Sequence, residues 1–188
     1  MSDWRTRLER DFAAVHLFDL QHQSTTYKVF LLPGNLQVDL SFTPGNKFLG
    51  KGLKYDLLFG DALEREPVKP SPEHSFGLAV VYLLHARACI ARGRTWEAEY
   101  SISAARDQAL LLACLHRGLK TSYGRGFDDL PPEIRSRFGE ALVGTLDKSR
   151  LLHALNRTVD ELLHNSQDVH EMVSRIELQL HELKLESP

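Results

Sequence analysis

The chain has 188 residues, 43% of them hydrophobic and 26% charged, which is an ordinary composition for a globular protein. Its formal net charge of −2 excludes a general electrostatic attraction to nucleic acids or to anionic membranes. Two cysteines are too few for a disulfide framework, and the charged start MSDWRTRLERDF lacks the apolar segment of a signal peptide. With no run of about 18 apolar residues, we expect no membrane span and a cytoplasmic location.

The N-terminal segment predicts an amphipathic helix. Its apolar residues recur at spacings of four, four and three, which places them on one helical face: Trp4, Leu8, Phe12 and Val15. Next come His16, Asp19 and His22, spaced by three, whose side chains are of metal-binding types. The intervening LFDLQ is typical of a helix end running into a loop, a geometry that does not bring three ligands together. We therefore expect no metal site here.

The following segment predicts a β-hairpin. Residues 27–32 (YKVFLL) and 36–42 (LQVDLSF) flank the turn-forming sequence PGN. In the second strand apolar and polar residues alternate, and Asp39 lies at the centre of the polar face. Because an acidic residue is unfavourable inside a strand, Asp39 is interpreted either as a solvated side chain or as a metal-binding carboxylate. Residues 53–60 (LKYDLLFG) predict a third strand.

The remainder predicts a linker and about five helices. The linker is the Pro-rich, charged stretch 65–74, which separates an α/β portion (1–64) from a helical bundle (75–188) in an α+β fold. The helices are expected over 75–92, 96–117, from near Pro132, 148–165 and 169–184. Gly93 and Gly118 are suited to the positions that follow two of these helices. Thr95, Asp147 and Asp168 are suited to N-cap positions.

Polar residues in the predicted helix 96–117 have two interpretations. Glu99, Arg106 and Asp107 lie apart from an apolar stripe made of Ala98, Ile102, Ala105, Ala109 and Leu112. The acidic residues are either solvated charges that pair with Arg106, or functional carboxylates in a cleft.

The cysteines and two nearby histidines also have two interpretations. His85 and Cys89 share a helical face, and Cys114 and His116 lie on the next helix, so antiparallel helices could assemble a zinc site. The apolar sequence LLHARACIA around the first pair instead favours buried packing cysteines and a satisfied histidine, and we expect this arrangement.

Two further patterns carry little weight. Arg125 lies between Gly124 and Gly126, and such a loop can bind phosphate, although a plain connection between helices is the simpler interpretation. Arg157 and His164 lie six residues apart in RTVDELLH, which loosely matches the Arg-x₄₋₆-His pattern of ribonuclease toxins, a spacing that often arises by chance.

Three stretches resemble a bacterial group of nucleotidyltransferase-domain proteins. They are VHLFDLQHQSTTYKVFLLPGNLQVDLSFTPGNKF with the later LLFGDA, then HARACIARGRTWEAEYSISAARDQALLLACLHRG, then GRGFDDLP. This group belongs to the DNA-polymerase-beta-like superfamily, with the aminoglycoside and lincosamide nucleotidyltransferases. The similarity runs from about residue 4 to about residue 165, and AEYSISAARDQ and GRGFDDLP are its most specific parts.

The resemblance implies Mg²⁺-dependent transfer of a nucleoside monophosphate from an NTP to the hydroxyl of a small molecule. In such enzymes three acidic residues hold two Mg²⁺ ions, two from an Asp-x-Asp pair after a Gly-Ser turn and one from a neighbouring antiparallel strand. Asp39 matches the third and is the candidate metal ligand. Glu99 and Asp107 are candidates for the acidic residue whose carboxylate binds or deprotonates the acceptor hydroxyl. Lys47 and Lys51 are candidates for contacts with the triphosphate.

The chain departs from this family pattern before Asp39. No Gly-Ser turn and no Asp-x-Asp pair precede it, and the adjacent pair Asp128 and Asp129 lies in a later loop. We therefore expect a partial nucleotidyltransferase sheet and no transfer activity in the 188-residue polypeptide. The alternative is a non-catalytic binding module whose open sheet edge pairs with a second copy to form a homodimer.

Overall fold

The computed structural model describes residues 2–45 and 70–184, with side chains from Trp4 onward. Contacts divide the chain into two compact units, Met1–Val68 and Lys69–Pro188. The α+β fold class predicted from the sequence is confirmed, because a three-stranded antiparallel sheet is followed by a set of helices. The predicted strand 53–60, both candidate lysines Lys47 and Lys51, and the first five residues of the predicted linker lie outside the described residues.

The first unit contains one helix and three strands: α1 Ser2–Phe12, β1 Val15–His22, β2 Thr25–Leu32 and β3 Leu36–Phe42. The strands are antiparallel neighbours in the order β1-β2-β3. The predicted hairpin is β2–β3. In its turn Gly34 and Asn35 both have positive φ angles, +80° and +61°, a conformation that these two residue types tolerate well.

Strand β1 replaces the helix end and loop expected around residues 15–22. Helix α1 stops because Ala13 adopts a φ of +51°, and the buried Ala14 donates its N–H to the Leu8 carbonyl at 3.2 Å. The chain then pairs with β2. The prediction was wrong because the helical spacing of four apolar residues was extended to Val15, which is the first residue of the strand.

The second unit is a bundle of five α-helices: α2 Pro72–Ala91, α3 Thr95–His116, α4 Pro132–Gly139, α5 Lys148–His164 and α6 His170–Leu183. The predicted number of helices is confirmed for the described residues. Helix α2 begins three residues earlier than expected, inside the predicted linker. Ser71 accepts the His74 N–H at 3.2 Å, and Pro72 occupies the first helical position, for which its restricted φ is suited.

The predicted helix ends are mostly confirmed. Gly93 and Gly118 follow α2 and α3 with φ angles of +70° and +65°. Asp147 precedes α5 as expected, but its carboxylate accepts from the Thr145 hydroxyl at 2.7 Å and not from the helix. Two predictions were wrong: Thr95 is the first residue of α3, and Asp168 lies in a short 3₁₀ turn, Gln167–Val169, before α6.

Helix α3 is at the centre of the bundle. The whole apolar stripe predicted for it is buried, and its alanines allow α2 and α5 to pack closely against it. Helix α2 is the one described helix that is long and apolar enough to cross a membrane by length and composition. In the bundle it packs against α3, α5 and α6 and buries side chains such as Phe76 and Leu83, as a core helix does.

Candidate functional site

Asp39 lies in a row of side chains that crosses the whole sheet. The register pairs it with Val29 on β2, and Val29 in turn with Phe18 on β1. Residues paired across antiparallel strands share a face, so the lateral neighbours of Asp39 are apolar. The row therefore holds one carboxylate, at its β3 end.

The Asp39 carboxylate has a partner on its own strand. Gln37, two residues away on the same face, directs its Nε2 to both oxygens, at 3.0 Å to Oδ1 and 3.1 Å to Oδ2. The alternation predicted for β3 is confirmed, because Gln37, Asp39 and Ser41 are exposed while Val38 and Leu40 are half-buried. Asp39 is therefore a solvated side chain with an amide partner.

Next to this row, the same sheet face carries several apolar side chains, and those on the outer strand are exposed. Phe18 exposes 51% of its surface, and Val15, Leu20 and Leu31 on the same face are also exposed. We call these four residues and the central Val29 the apolar sheet face. It is bordered by the polar side chains of β3. Contiguous exposed apolar surface is a feature of interaction sites.

The two candidate acids on α3 are linked by a chain of hydrogen bonds. Glu99 Oε1 accepts from the Ser103 hydroxyl at 2.8 Å, and Arg106 donates to Ser103 at 3.4 Å and to Asp107 Oδ1 at 2.9 Å. The Arg106 side chain is only 16% exposed, because it lies against the surface of α3 between Ser103 and Asp107. The structure thus brings Glu99 and Asp107 to one cluster. Asp39 belongs to the other unit.

A cluster that the sequence interpretation missed surrounds Asp19. Lys28 Nζ lies 2.6 Å from Asp19 Oδ2, and His16 Nε2 lies 2.7 Å from Asp19 Oδ1. A β-bulge at Leu17 brings His16 and Asp19 to the same face, which residues three apart in a regular strand do not share. His22 lies on the opposite face, so the three residues considered as metal ligands do not converge.

The pKa of the Asp19 carboxyl is lowered by its hydrogen bonds, first that from Lys28 and then that from His16. Because the folded chain favours the charged form, this contact stabilises the fold above the ordinary pKa of aspartate. That contribution is lost as the pH falls through the lowered pKa.

We expect the Asp19 pKa to rise toward its ordinary value in Lys28→Met, because the largest cause of its depression is removed. A carbon-detected NMR titration of the carboxyl measures the change directly. Lys148→Met removes the same charge from α5 and should leave the titration unchanged. An unaltered Asp19 titration in Lys28→Met would show that the contact does not persist in solution.

The zinc arrangement considered for the cysteines is not formed. Cys114 is buried, which raises the pKa of its thiol, and His116 pairs with Asp168 at 3.1 Å. Cys89 is half-buried and its Sγ lies 3.7 Å from Glu97 Oε2, while His85 is exposed, contrary to the expected buried packing. Across residues 2–45 and 70–184, no group of three or more His, Cys, Asp or Glu side chains is arranged to hold a metal ion.

The Gly-Arg-Gly loop is built for close backbone packing. A Cβ on Gly126 would lie 2.1 Å from the Lys120 carbonyl oxygen, so only glycine fits at this buried position. The Arg125 guanidinium lies 5.7 Å from the centre of the Tyr123 ring, over its face. Tyr123 has a φ of +56° and is 90% exposed. These contacts account for both glycine and arginine without a phosphate.

Comparison with protein-family models finds no match, and comparison with curated proteins also finds none. The resemblance to nucleotidyltransferase-domain proteins therefore rests on the sequence stretches quoted above.

Proposed function

We propose that this chain is a nucleotidyltransferase-like protein that, as the 188-residue polypeptide, acts as a binding module and does not transfer nucleotides. The single observation that carries the proposal is the row formed by Phe18, Val29 and Asp39. Two apolar side chains beside one solvated carboxylate are typical of a surface that contacts another molecule.

The residues around Asp39 do not fit the two-Mg²⁺ centre that the resemblance implies. Such a centre needs several carboxylates that converge on a pair of cations. The side chains next to Asp39 on its face are Val29 across the strand pair and Gln37 and Ser41 along β3, and the amide of Gln37 occupies both carboxylate oxygens. The single carboxylate of Asp39 supplies only part of the negative charge that two Mg²⁺ ions require from their ligands.

The cluster on α3 supports binding of a hydroxyl-bearing small molecule. Glu99 Oε1 and Asp107 Oδ1 accept from Ser103 and Arg106, and within the described part of the chain the second oxygen of each carboxylate has no hydrogen-bond partner. Each can therefore accept a hydrogen bond from a ligand hydroxyl. The same groups are the candidates for contact with an acceptor in a complete enzyme of this class.

We expect the purified chain to transfer no labelled nucleoside monophosphate to aminoglycoside or lincosamide acceptors from any of the common NTPs with Mg²⁺. Calorimetry with each Mg²⁺–NTP should likewise show no binding that depends on the metal. Asp39→Asn is the matched control and should behave like the unaltered chain. Transfer that Asp39→Asn abolishes would contradict the proposal, because it would place Asp39 in a working metal centre.

The binding partner supported by the first unit is a second copy of the chain. Strand β1 is an outer strand of the described sheet, and antiparallel pairing of two β1 strands would join the sheets about a two-fold axis. Phe18 would then lie next to Phe18 of the second copy near the axis. Val15 of each copy would lie near Leu20 of the other, and all three would lose exposed apolar surface.

We expect light scattering after size-exclusion chromatography to give a dimer mass that falls to the monomer mass on dilution. Phe18→Lys should shift the equilibrium to the monomer, because two like charges would face each other near the two-fold axis. Leu178→Lys, an equally conspicuous exposed apolar position on α6, should leave the dimer unchanged. A monomer at the highest accessible concentration would contradict pairing through β1.

A further inference from the structure

An open groove lies between the end of α2 and the start of α3, within the helical unit. Its volume is about 500 Å³, which is in the range of small-molecule sites. It is lined by His85, Ala88 and Cys89 from α2, by Arg92 directly after that helix, and by Trp96, Glu97, Tyr100 and Ser101 from α3. None of these residues belongs to the clusters around Asp39, Asp19 or Glu99.

One wall of the groove is formed by two aromatic rings. Trp96 and Tyr100 lie one helical turn apart on α3, so their side chains occupy the same side of the helix. They expose 74% and 67% of their surfaces. Large aromatic side chains are usually covered, and two adjacent exposed rings beside a concave surface provide flat faces on which another flat ring can stack.

The charge that remains free in the groove is positive. Both oxygens of Glu97 are occupied, since Arg94 donates to them at 2.8 and 3.0 Å and the Cys89 thiol lies 3.7 Å from Oε2. The Arg92 guanidinium, in contrast, makes no hydrogen bond or ion pair with any residue of the described segments. Glu97 is thus neutralised, and Arg92 retains five N–H donors.

We propose that this groove binds a planar aromatic anion, a flat ring system that carries a carboxylate. The ring stacks against Trp96 and Tyr100, and the carboxylate receives paired N–H groups from Arg92, whose fork matches its geometry. The exposed His85 provides a further N–H group at the same rim. An aromatic cation is disfavoured here, because the one acidic side chain lining the groove already has its partner.

Three naphthalene probes of equal ring size test the proposal by isothermal titration calorimetry on the full chain. They are 2-naphthoate, the neutral 2-naphthamide and the cationic 2-naphthylmethylammonium. We expect the anion to bind at least about tenfold more tightly than the neutral amide, as one charge-assisted bidentate contact provides. The cation should bind most weakly.

Substitutions then locate the site. Arg92→Gln should remove the preference for the anion, whereas Arg175→Gln, which deletes the same charge from α6, should preserve it. Trp96→Ala should weaken all three probes, whereas Leu178→Ala should not. All four side chains are exposed, so the variants should retain the thermal unfolding midpoint of the parent chain, and a circular dichroism melt checks this.

Three outcomes would overturn the proposal. They are the absence of saturable binding at millimolar naphthoate, equal or tighter binding of the amide or the cation, and a preference for the anion that persists in Arg92→Gln. None of these depends on the nucleotide-transfer or dimerisation results, because those concern other residues.

Discussion

Replacing Arg137 by alanine is expected to lower the free energy of unfolding of the helical unit by about 3 kcal/mol. Arg137 on α4 directs its Nε to both oxygens of Glu161 on α5, at 3.1 and 3.2 Å. The Glu161 side chain is only 3% exposed, and its other side-chain partner is the Asn165 amide at 3.3 Å. Without the guanidinium, a carboxylate would remain buried without a cation, which is the costly part of breaking such a pair.

Urea unfolding followed by far-UV circular dichroism measures this loss. Arg135→Ala, on an exposed position of the same helix, is the matched control and should change the stability by less than about 0.5 kcal/mol. The double variant Arg137→Leu with Glu161→Leu should recover much of the loss, because it removes both charges together. Equal effects of Arg137→Ala and Arg135→Ala would show that the buried pair contributes nothing.

The second large effect is expected for Gly126→Ala, with a loss of about 3 kcal/mol. The new methyl group would overlap the Lys120 carbonyl oxygen. The backbone fixes the position of a Cβ, and the oxygen is itself a backbone atom, so neither can rotate away as the end of a long side chain does. Relief requires the loop between α3 and α4 to shift, and Leu130 at its end is part of the buried core. The same urea experiment reports the change.

Gly77→Ala is the control for the effect of replacing glycine by alanine at a position without a steric clash. Gly77 lies inside α2, and a Cβ there meets no atom within 4 Å. Since alanine is the better helix former, this variant should gain about 0.5–1 kcal/mol. Opposite signs at positions 126 and 77 are the expected result. A neutral Gly126→Ala would mean that the loop adapts and that glycine is not required there.

The helical unit could be predicted well because its signals are local. The stripe from Ala98 to Leu112 follows the helical period, and Gly93 and Gly118 each lie two residues after the last residue of a helix. Helix starts were less accurate. The Ser71–Pro72 pair was assigned to a linker because proline was read as a loop residue, although proline also suits the first position of a helix.

Strand β1 could not be predicted because its signal is not local. Its bulge at Leu17 interrupts the alternation of polar and apolar residues, and the pairing with β2 that defines the strand is visible only in three dimensions. For the same reason the contact between Asp19 and Lys28, nine residues apart, had no signature in the sequence. An expected contact between adjacent charges, Arg106 with Asp107, was found.

The candidate site residues could be assigned to elements but not to a common site. The exposed polar face of β3 was predicted from its alternation, and the separation of Glu99 and Asp107 from the apolar stripe of α3 followed from helical geometry. The surroundings of Asp39 could not be predicted, because they depend on which β1 residue lies in the same row across the sheet. The answer, Phe18, is set by the register that begins at the β1–β2 turn, where His22 pairs with Thr25, and no local sequence signal marks that register.

This bulge also has a consequence for how the strand can change in length during evolution. Leu17 is the surplus residue between two pairs, His16 with Phe30 and Phe18 with Val29. Deleting it would join those pairs into an uninterrupted ladder and leave every other side chain of β1 on its present side. Deleting any residue further along the strand would invert the sides of those before it. Leu17 is therefore the place at which β1 tolerates the loss of a codon.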